Sequence, residues 1–534
     1  MSINNSKPKW LVAFDTDRIK NFIFATNALK EIRGASALLV EQDEKRKKDL
    51  EKLGELVYSA GGGGTLLVDS EQKAQEVVAQ IERDFRLATI TGSITAIAVS
   101  PDKRPKSDWF GRHMDVAGQI LQKKKSSKGE LSLLPVEPYM RLCDSCGTRP
   151  AEKRFDKDNT GDLLCGSCYQ KRDLGIRHRK GFAEKFREYV RDHELSSEWL
   201  NADPPEDLNV LGELDGSGYI GFITADGNHM GKMLQLFEKK ENYSNFSTKL
   251  THLMQEIVFD VLARSTWPVE KAGKKILPFE IVLIGGDDLM MFTSASLAIR
   301  LAVKIVERFE QESQAILQET GLLEDDFYDR LETGWGEESL PITREELFLK
   351  HKKLTMAAGV VLCHSNFPVP ALVEIGEALQ KSAKKKCADK DVNYSEGAID
   401  FQVITGSAVD LETARAAVPH NRPYRLSEFK KLIGFIEKFH QKDVHFPKTQ
   451  MQMIYDACHF PNISRATLVT LHALGRLKRP ARKLLKEFFT SFSPPDYEYL
   501  RWPWTYIANG NGDQNRAAFV DLVDLYDFVS NLKE

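Results

Sequence analysis

The chain of 534 residues lacks long hydrophobic runs and any strong excess of one charge. No apolar stretch approaches the roughly 18 residues needed to cross a bilayer, and residues 1–8 contain no signal-peptide hydrophobic core. With 74 Lys and Arg against 77 Asp and Glu, the net charge is −3, so overall electrostatics give no case for a nucleic-acid partner. We therefore expect a cytoplasmic protein that does not associate with membranes.

Cysteine is also scarce, with seven residues in the chain, yet four of them form a pattern. Cys143 and Cys146 make one CxxC pair, and Cys165 and Cys168 make a second. Two such pairs present four thiolates to a tetrahedral Zn²⁺, and a site without an open ligand position is structural. Disulfides are the alternative, but a reducing compartment disfavours them. The spacing therefore predicts a structural zinc site.

Two hydrophobic runs at 279–284 and 289–292 flank the sequence Gly285-Gly286-Asp287-Asp288. This pattern predicts a tight β-hairpin, because glycine allows turn conformations that a Cβ forbids. Adjacent aspartates repel each other unless a cation lies between them, and carboxylate oxygens suit Mg²⁺ or Mn²⁺. The alternative is a hydrated surface turn, since short motifs often occur without function.

The order of elements β-α-β-β-α-β is predicted twice, over about 10–99 and again from 219 to 404, and is typical of ferredoxin-like domains. In each copy a strand ends in aspartate and a glycine-rich hairpin follows: Asp15 and Asp17 precede the glycines of 61–64, and Asp226 precedes 285–288. Only the second hairpin carries carboxylates. We expect an α+β protein with two palm domains of the nucleotidyl cyclase type.

In this topology Asp226 lies on a strand adjacent to the second hairpin. Asp226, Asp287 and Asp288 would then converge on a two-metal centre that activates a ribose hydroxyl and stabilises charge on a transferred phosphate. Gly227 leaves room for triphosphate oxygens to approach the backbone.

Four domains are predicted along the chain. They are a degenerate first palm at 1–120, a linker with the zinc module at 121–215, the second palm at 216–411, and a helical domain at 412–534. The helical domain has amphipathic stretches at 426–440, 448–458, 464–475 and 480–493, and a final helix is predicted at 514–532.

The order of seven features along the chain is specific: 14–20 (FDTDRIK), 31–39 (EIRGASALL), the 61–64 glycines, the four cysteines, 225–228 (ADGN), 285–288 and 421–424 (NRPY). Together they resemble the large palm-polymerase subunit of type III CRISPR effector complexes, and the resemblance covers nearly the whole chain. The short form and the segment at 421–424 favour the Cmr-type complexes of subtype III-B.

This resemblance implies that the paired palms bind two ATP molecules and that the second palm performs adenylyl transfer, usually yielding cyclic oligoadenylates when target RNA is bound. It implies as partners guide RNA, target RNA, the subunit that caps the RNA end, the small helical subunit and the backbone subunits. Asp226, Asp287 and Asp288 are then the catalytic and metal-binding residues. The expected nucleotide-binding residues are Gly227, Asn228, Gly285, Gly286, Lys384, Ser36, Gly62 and Gly63.

Many members of this family also carry an HD nuclease domain. Here none of the 12 histidines is followed by aspartate and the first palm opens near Trp10, so we expect no HD nuclease activity. Other interpretations remain open. One is a nucleotide-binding scaffold subunit with little catalysis, another is adenylyl transfer to a different small acceptor, and a third is a diguanylate-cyclase-like enzyme.

A basic segment from Lys171 to Arg191 has two interpretations. Its clustered Lys and Arg side chains would either follow RNA phosphates or form a solvated helix face. The interspersed aromatic residues have the helical spacing of core contacts, which favours the second interpretation.

Overall fold

The computed structural model describes residues 9–104, 109–128, 139–158, 160–178, 181–324, 326–335, 352–389, 393–406, 411–415, 419–460, 462–492, 505–509 and 512–529. Within these ranges no helix has the length and apolar character of a membrane span.

The first palm has the predicted β-α-β-β-α-β order, with a short extra helix after the first strand. Its antiparallel sheet has the strand order β2-β3-β1-β4. The run Trp10–Phe14 is apolar because this central strand is covered on both faces. The elements are β1 (Trp10–Asp17), α1 (Ile19–Ile23), α2 (Leu29–Leu53), β2 (Glu55–Ala60), β3 (Gly63–Val68), α3 (Glu71–Thr89) and β4 (Ser93–Val99).

A helical and zinc-module region connects the two palms. Helix α4 (Phe110–Ser127) packs on the first sheet and continues past residue 120. The domain boundary at 120 stays a prediction. The remaining elements of this region are β5 (Lys153–Phe155), β6 (Asp162–Leu164), α5 (Gly166–Arg177), α6 (Gly181–Asp192) and α7 (Leu208–Glu213).

The second palm repeats the first sheet and extends it. Its strand order is β10-β11-β7-β12-β13-β14, in which β13 pairs with β12 in parallel and a short strand from the C-terminal region forms the edge. The elements are β7 (Tyr219–Gly227), α8 (Met230–Leu234), α9 (Lys240–Ser265), β8 (Val269–Lys271), β9 (Lys274–Ile276), β10 (Phe279–Gly285), β11 (Asp288–Ser294), α10 (Ala295–Glu319), α11 (Phe327–Trp335), β12 (Met356–His364), α12 (Val369–Ala388) and β13 (Ala398–Ile404).

The C-terminal region is mainly helical, as predicted, but the expected final helix at 514–532 is wrong in its extent. A hairpin takes up the first residues of that range, and the helix spans 518–526; residues 530–534 lie outside the described part. The elements are α13 (Leu411–Arg415), β14 (Tyr424–Arg425), α14 (Leu426–Phe439), α15 (Lys448–Cys458), α16 (Ile463–Arg476), α17 (Arg479–Phe492), β15 (Thr505–Asn509), β16 (Gly512–Arg516) and α18 (Ala518–Tyr526).

The two palms share an apolar core. The ring of Phe24 from the first palm packs edge-on against Phe222 and Phe292 of the second, with centroids 6.0 and 6.3 Å apart. The packing is reciprocal, since α2 of the first palm contacts β10 of the second while α9 of the second contacts β2 of the first. One edge strand of each sheet therefore contacts a helix of the other palm, and the palms form one packed unit.

Candidate active site

The second hairpin has the predicted form. Gly285 pairs with Asp288, so Gly286 and Asp287 form the turn, and Gly286 has a φ of +62° that favours glycine. On the adjacent pair of strands Leu289 lies opposite Ala225. This register puts Asp288 beside Asp226 and brings the three predicted carboxylates to one end of the sheet.

The three carboxylates repel each other in a partly buried setting. The backbone N–H of Gly227 donates a hydrogen bond to Asp287 Oδ2 at 3.1 Å. Burial and the neighbouring Asp226 carboxylate raise the pKa of Asp287 well above its ordinary value. The same two causes raise the pKa of Asp288 to about 6. Such a cluster of oxygen ligands favours the binding of a cation.

The donor set fits Mg²⁺ or Mn²⁺ in its chemistry, but the side chains are not yet gathered around one ion. Among the described residues, only the four cysteines form a group of three or more ligands whose donor atoms all lie within 4.8 Å of one another. Lys384 Nζ donates a hydrogen bond to Asp226 Oδ2, so a lysine cation neutralises this carboxylate. A metal that binds Asp226 at Oδ2 must displace this contact.

Two residues near the carboxylates were missed by the sequence reasoning. Lys20 on α1 of the first palm forms an ion pair with Glu377 on α12, with 3.1 Å between Nζ and Oε1. The positive charges of Lys20 and Lys384 act to lower the pKa of Asp288, and the Glu377 carboxylate acts to raise it. Lys20 ends the 14–20 segment that carries the family resemblance, and Glu377 lies two helical turns before Lys384, so both had a signal in the sequence.

The segment after Asp226 is tightly packed. A Cβ on Gly227 would lie 2.9 Å from Asp287 Oδ2 and 2.7 Å from Met230 Cε, so a side chain there would displace the carboxylate. Asn228 is buried, and its Nδ2 donates to Thr355 Oγ1 at 2.9 Å. This contact fixes the end of β7, and a nucleotide contact of Asn228 stays a prediction.

The first palm repeats this geometry with fewer carboxylates. Gly63 lies opposite Asp15, as Asp288 lies beside Asp226, so Gly62 and Gly63 occupy the positions of Asp287 and Asp288. Gly62 has a φ of +82°. The first hairpin therefore cannot supply the two turn carboxylates of the second.

A lysine pairs with the remaining carboxylate of the first palm. Lys125 Nζ on α4 donates to Asp15 Oδ2 at 2.5 Å. Helix α4 follows β4 just as α12 follows β12, so this contact is the counterpart of the contact between Lys384 and Asp226. Lys125 was not singled out from the sequence, because no motif marks it.

The two hairpins meet at the palm interface. A Cβ on Gly285 would lie 3.6 Å from the Cα of Gly61, so the glycine turns approach each other without side chains between them. A ligand held at one hairpin would therefore be close to a ligand held at the other.

Ser36 makes a packing contact between the palms. It is buried, and its hydroxyl donates to the carbonyl of Val282 at 2.6 Å. One turn earlier on α2, Arg33 forms a buried ion pair with Glu280 at 2.5 Å. Helix α2 is thus attached to the strand that leads into the second hairpin, and the nucleotide contact of Ser36 stays a prediction.

The four cysteines converge as predicted. Cys146 Sγ and Cys165 Sγ are 3.9 Å apart, close to the ~3.8 Å edge of a tetrahedron with Zn–S bonds of about 2.3 Å. All seven cysteines are free, so the disulfide alternative is not formed. Hydrogen bonds among the thiols lower the pKa of Cys146 and raise the pKa of Cys165 and Cys168, so one thiolate of these three is favoured in the absence of a cation. The residues fit a structural Zn²⁺.

The start of the basic segment is buried in the attachment of the zinc module to α2. Arg172 forms an ion pair with Glu31 at 2.7 Å, and the Lys171 ammonium donates to the carbonyl of Phe22 at 2.5 Å. Arg187 is also buried, whereas residues 179–180 lie outside the described part. Lys171, Arg172 and Arg187 therefore make interior contacts, and for these three residues both interpretations, RNA phosphates and a solvated helix face, are wrong.

Comparisons with known proteins match both the hairpin region and the overall fold. Residues 219–322 match the family described as Cas10/Cmr2, second palm domain. No curated protein matches the chain. Csm1 of T. onnurineus has a similar structure, with 13% identity, 98% of this chain covered and a TM-score of 0.56.

Two further similar structures are Csm1–Csm4 cassettes. The one in complex with cA4 has 12% identity, 98% coverage and a TM-score of 0.54, and the one in complex with one ATP has 12% identity, 88% coverage and a TM-score of 0.53. The chain spans 65% to 70% of the length of these three structures.

The fold and the carboxylate hairpin define a paired-palm protein of the nucleotidyl cyclase type. More specifically, residues 219–322 match the Cas10/Cmr2 second palm family, and the chain has the fold of the Csm1 structures. The preference for a Cmr-type complex stays a prediction.

Proposed function

We propose that the chain is the large subunit of an RNA-guided type III CRISPR effector complex and makes an adenylate second messenger, a cyclic oligoadenylate, from ATP. The observation that carries this proposal is the convergence of Asp226, Asp287 and Asp288 opposite a glycine hairpin of the other palm. Structures of similar fold in complex with ATP and with cA4 support the choice of substrate and product.

In the proposed reaction a ribose hydroxyl of one nucleotide attacks the α-phosphorus of another. A new P–O bond forms, the bond from the α-phosphorus to the β-bridging oxygen breaks, pyrophosphate leaves and the hydroxyl proton passes to solvent. Mg²⁺ or Mn²⁺ held by Asp226, Asp287 and Asp288 would act as the Lewis acid. Lys384, when released from Asp226, would neutralise triphosphate charge.

The two palms have different roles in this proposal. The glycines of the second turn, Gly285 and Gly286, let the donor nucleotide approach the backbone, whereas the space at Gly227 is filled by Asp287 and Met230. Gly62 and Gly63 provide the same approach in the first palm without metal ligands. The first palm would hold the acceptor, and only the second palm would catalyse.

The proposed partners are guide RNA, target RNA, the subunit that caps the RNA end, the small helical subunit and the backbone subunits. The similar cassettes contain Csm4, which supports assembly with another protein subunit. The helices α14 to α17 would contact the small helical subunit, and binding of target RNA would start synthesis in the cytoplasm.

The assembled complex, incubated with ATP, Mg²⁺ and matching target RNA, tests the proposal. We expect pyrophosphate release, and mass spectrometry should identify a cyclic oligoadenylate. The double variant Asp287→Ala, Asp288→Ala should release none, whereas Asp84→Asn on the exposed face of α3 should behave as the unaltered chain. Absence of pyrophosphate from the unaltered complex would contradict the proposed activity.

A second candidate is a subunit that binds nucleotide but catalyses little. It is favoured by the contact of Lys384 with Asp226, which neutralises a carboxylate that catalysis needs. Nucleotide binding without pyrophosphate release would support this candidate. A product containing adenylate and a different acceptor would instead indicate transfer to another small molecule.

A further inference from the structure

The active hairpin of the second palm lies near a cation that belongs to the first palm. Lys20 extends from α1 to Glu377 of α12, and the two side chains are 24% and 26% exposed. The neighbouring residue Ile19 lies 3.6 Å from a Cβ built on Gly62, and the Cα of Gly61 lies 3.6 Å from a Cβ built on Gly285. The start of α1 therefore lies beside the two hairpin turns. The site around Asp288 is therefore built from both palms.

Helix α12 presents its polar residues to this site from one face. Glu377 and Lys384 are seven residues apart, which is two helical turns, and each contacts a charged partner at the site. Lys384 contacts Asp226 and Glu377 contacts Lys20. The two lysines thus approach the carboxylates from different domains, and each has a carboxylate partner.

The charges at the site favour a change of partner for both lysines when metal and nucleotide bind. Asp226, Asp287, Asp288 and Glu377 carry four negative charges when ionised, against two positive charges. This excess disfavours an anionic triphosphate in the absence of metal. Once cations occupy the aspartates, the two ammonium groups can donate to phosphate oxygens, and each offers three N–H groups.

We propose that Lys20, supplied by the first palm, binds the triphosphate of the nucleotide held at the second palm. Glu377 holds Lys20 in position until the nucleotide arrives. The identity of the ligand as ATP rests on the proposed function. The consequence is that the second palm has a complete phosphate site only when the first palm is packed against it.

A simpler role is a salt bridge that only joins the palms. Exposed pairs of this type contribute about 0.2–1 kcal/mol, and either partner matters equally. If Lys20 binds phosphate, the two substitutions differ in effect. Loss of Glu377 frees Lys20 for the phosphate, whereas loss of Lys20 removes the contact with the phosphate. The two variants therefore separate the two roles.

The test measures binding of AMPPNP with Mg²⁺ to the full chain by calorimetry, together with the melting temperature. Lys20→Met should weaken binding about tenfold, the size of one hydrogen bond to a charged group. Lys20→Arg should retain most of the affinity, and Glu377→Gln should bind as well as the unaltered chain or better. Lys52→Met is the matched control, because Lys52 is exposed on α2 of the same palm and forms an ion pair with the neighbouring Asp49.

The charge-reversed double variant Lys20→Glu, Glu377→Lys restores an ion pair without restoring the original cation. We expect its melting temperature to recover while nucleotide binding does not. Recovery of binding, equal losses in Lys20→Met and Glu377→Gln, or normal binding by Lys20→Met would each overturn the inference. If the Lys20 and Glu377 variants change AMPPNP binding as expected but the assembled complex releases no pyrophosphate, the inference stands and the proposed activity is rejected.

Discussion

Asp15 occupies in the first palm the sheet position that Asp226 occupies in the second. Each lies on the central strand beside its hairpin, and each accepts a hydrogen bond from a lysine on the helix that follows the fourth strand. Each palm therefore has one carboxylate and one lysine at equivalent positions. The chemical difference between them lies in the hairpin turn, where the first palm has glycines.

This correspondence predicts unequal effects of matched substitutions. Asp226→Asn should reduce pyrophosphate release by the RNA-activated complex by at least about 100-fold, because it removes charge from the metal-binding set. Asp15→Asn should reduce it less than about tenfold, since its partner Lys125 and the first hairpin remain. Steady-state rates at saturating ATP measure both effects. Equal losses would show that the first palm also takes part in the chemistry.

The sequence predicted the parts of the site that local patterns encode. Buried hydrophobic runs and the glycine turns gave the strands and both hairpins, and the register of β11 on β7 then brought Asp226 to Asp288. The contact of Lys125 with Asp15 spans 110 residues and depends on how α4 packs. Such contacts are set by tertiary structure, which a single sequence does not reveal.

The basic segment is a second case in which tertiary packing was not evident from the sequence. Its charges suggested solvent or RNA, yet Lys171 and Arg172 are buried because α5 packs closely on α2. Arg172 finds a carboxylate partner in Glu31, and burial is then tolerated. Charge along a sequence therefore did not indicate exposure here.

Metal binding should be linked to folding through Asp288. Burial and Asp226 raise its pKa from 3.8 to about 6, so the folded chain binds more protons than the unfolded chain within this interval. Ionisation of Asp288 therefore lowers the free energy of unfolding as the pH rises from 3.8 to about 6. Above this interval the full destabilisation by the ionised carboxylate is present. In a chelator at pH 7.5, Asp288→Asn should raise the free energy of unfolding by about 1 to 3 kcal/mol.

The same measurement at about pH 2.5, well below both pKa values, should show no gain, since Asp288 is then protonated in both states. Mg²⁺ should stabilise the unaltered chain at pH 7.5 more than the Asp288→Asn variant. Asp84→Asn, at an exposed position on α3, serves as the control. A gain from Asp288→Asn that persists unchanged at low pH would contradict the linkage.

The zinc module should contain one metal ion per chain. Cys146→Ser should lose zinc and lower the melting temperature, because metal affinity contributes directly to folding of such sites. Cys363→Ala is the control, since Cys363 is buried on β12 away from the four-cysteine cluster. Metal analysis by mass spectrometry and thermal unfolding measure the two effects. A zinc-free chain with unaltered stability would exclude a structural metal.

The buried ion pair of Arg33 and Glu280 should stabilise the contact between α2 and the strand of the active hairpin. Arg33→Ala leaves Glu280 buried without its partner and should cost about 3–5 kcal/mol in urea unfolding. The double variant Arg33→Met, Glu280→Met removes both charges and should recover much of this loss. A double variant no more stable than Arg33→Ala would show that Arg33 acts through its hydrogen bond to the carbonyl of Pro205 instead.

Helix α5 of the zinc module packs closely on α2 of the first palm at Gly175. A Cβ there would lie 1.6 Å from the carbonyl oxygen of Lys30, so Gly175→Ala must separate α5 from α2. We expect a loss of about 3 kcal/mol in the free energy of unfolding, the upper range for overpacking. Gly118→Ala on α4 is the matched control, because its Cβ meets no atom within 4 Å, and it should stabilise by about 0.5–1 kcal/mol. If both variants unfold alike in urea, the two helices do not pack in solution as they do in the structure.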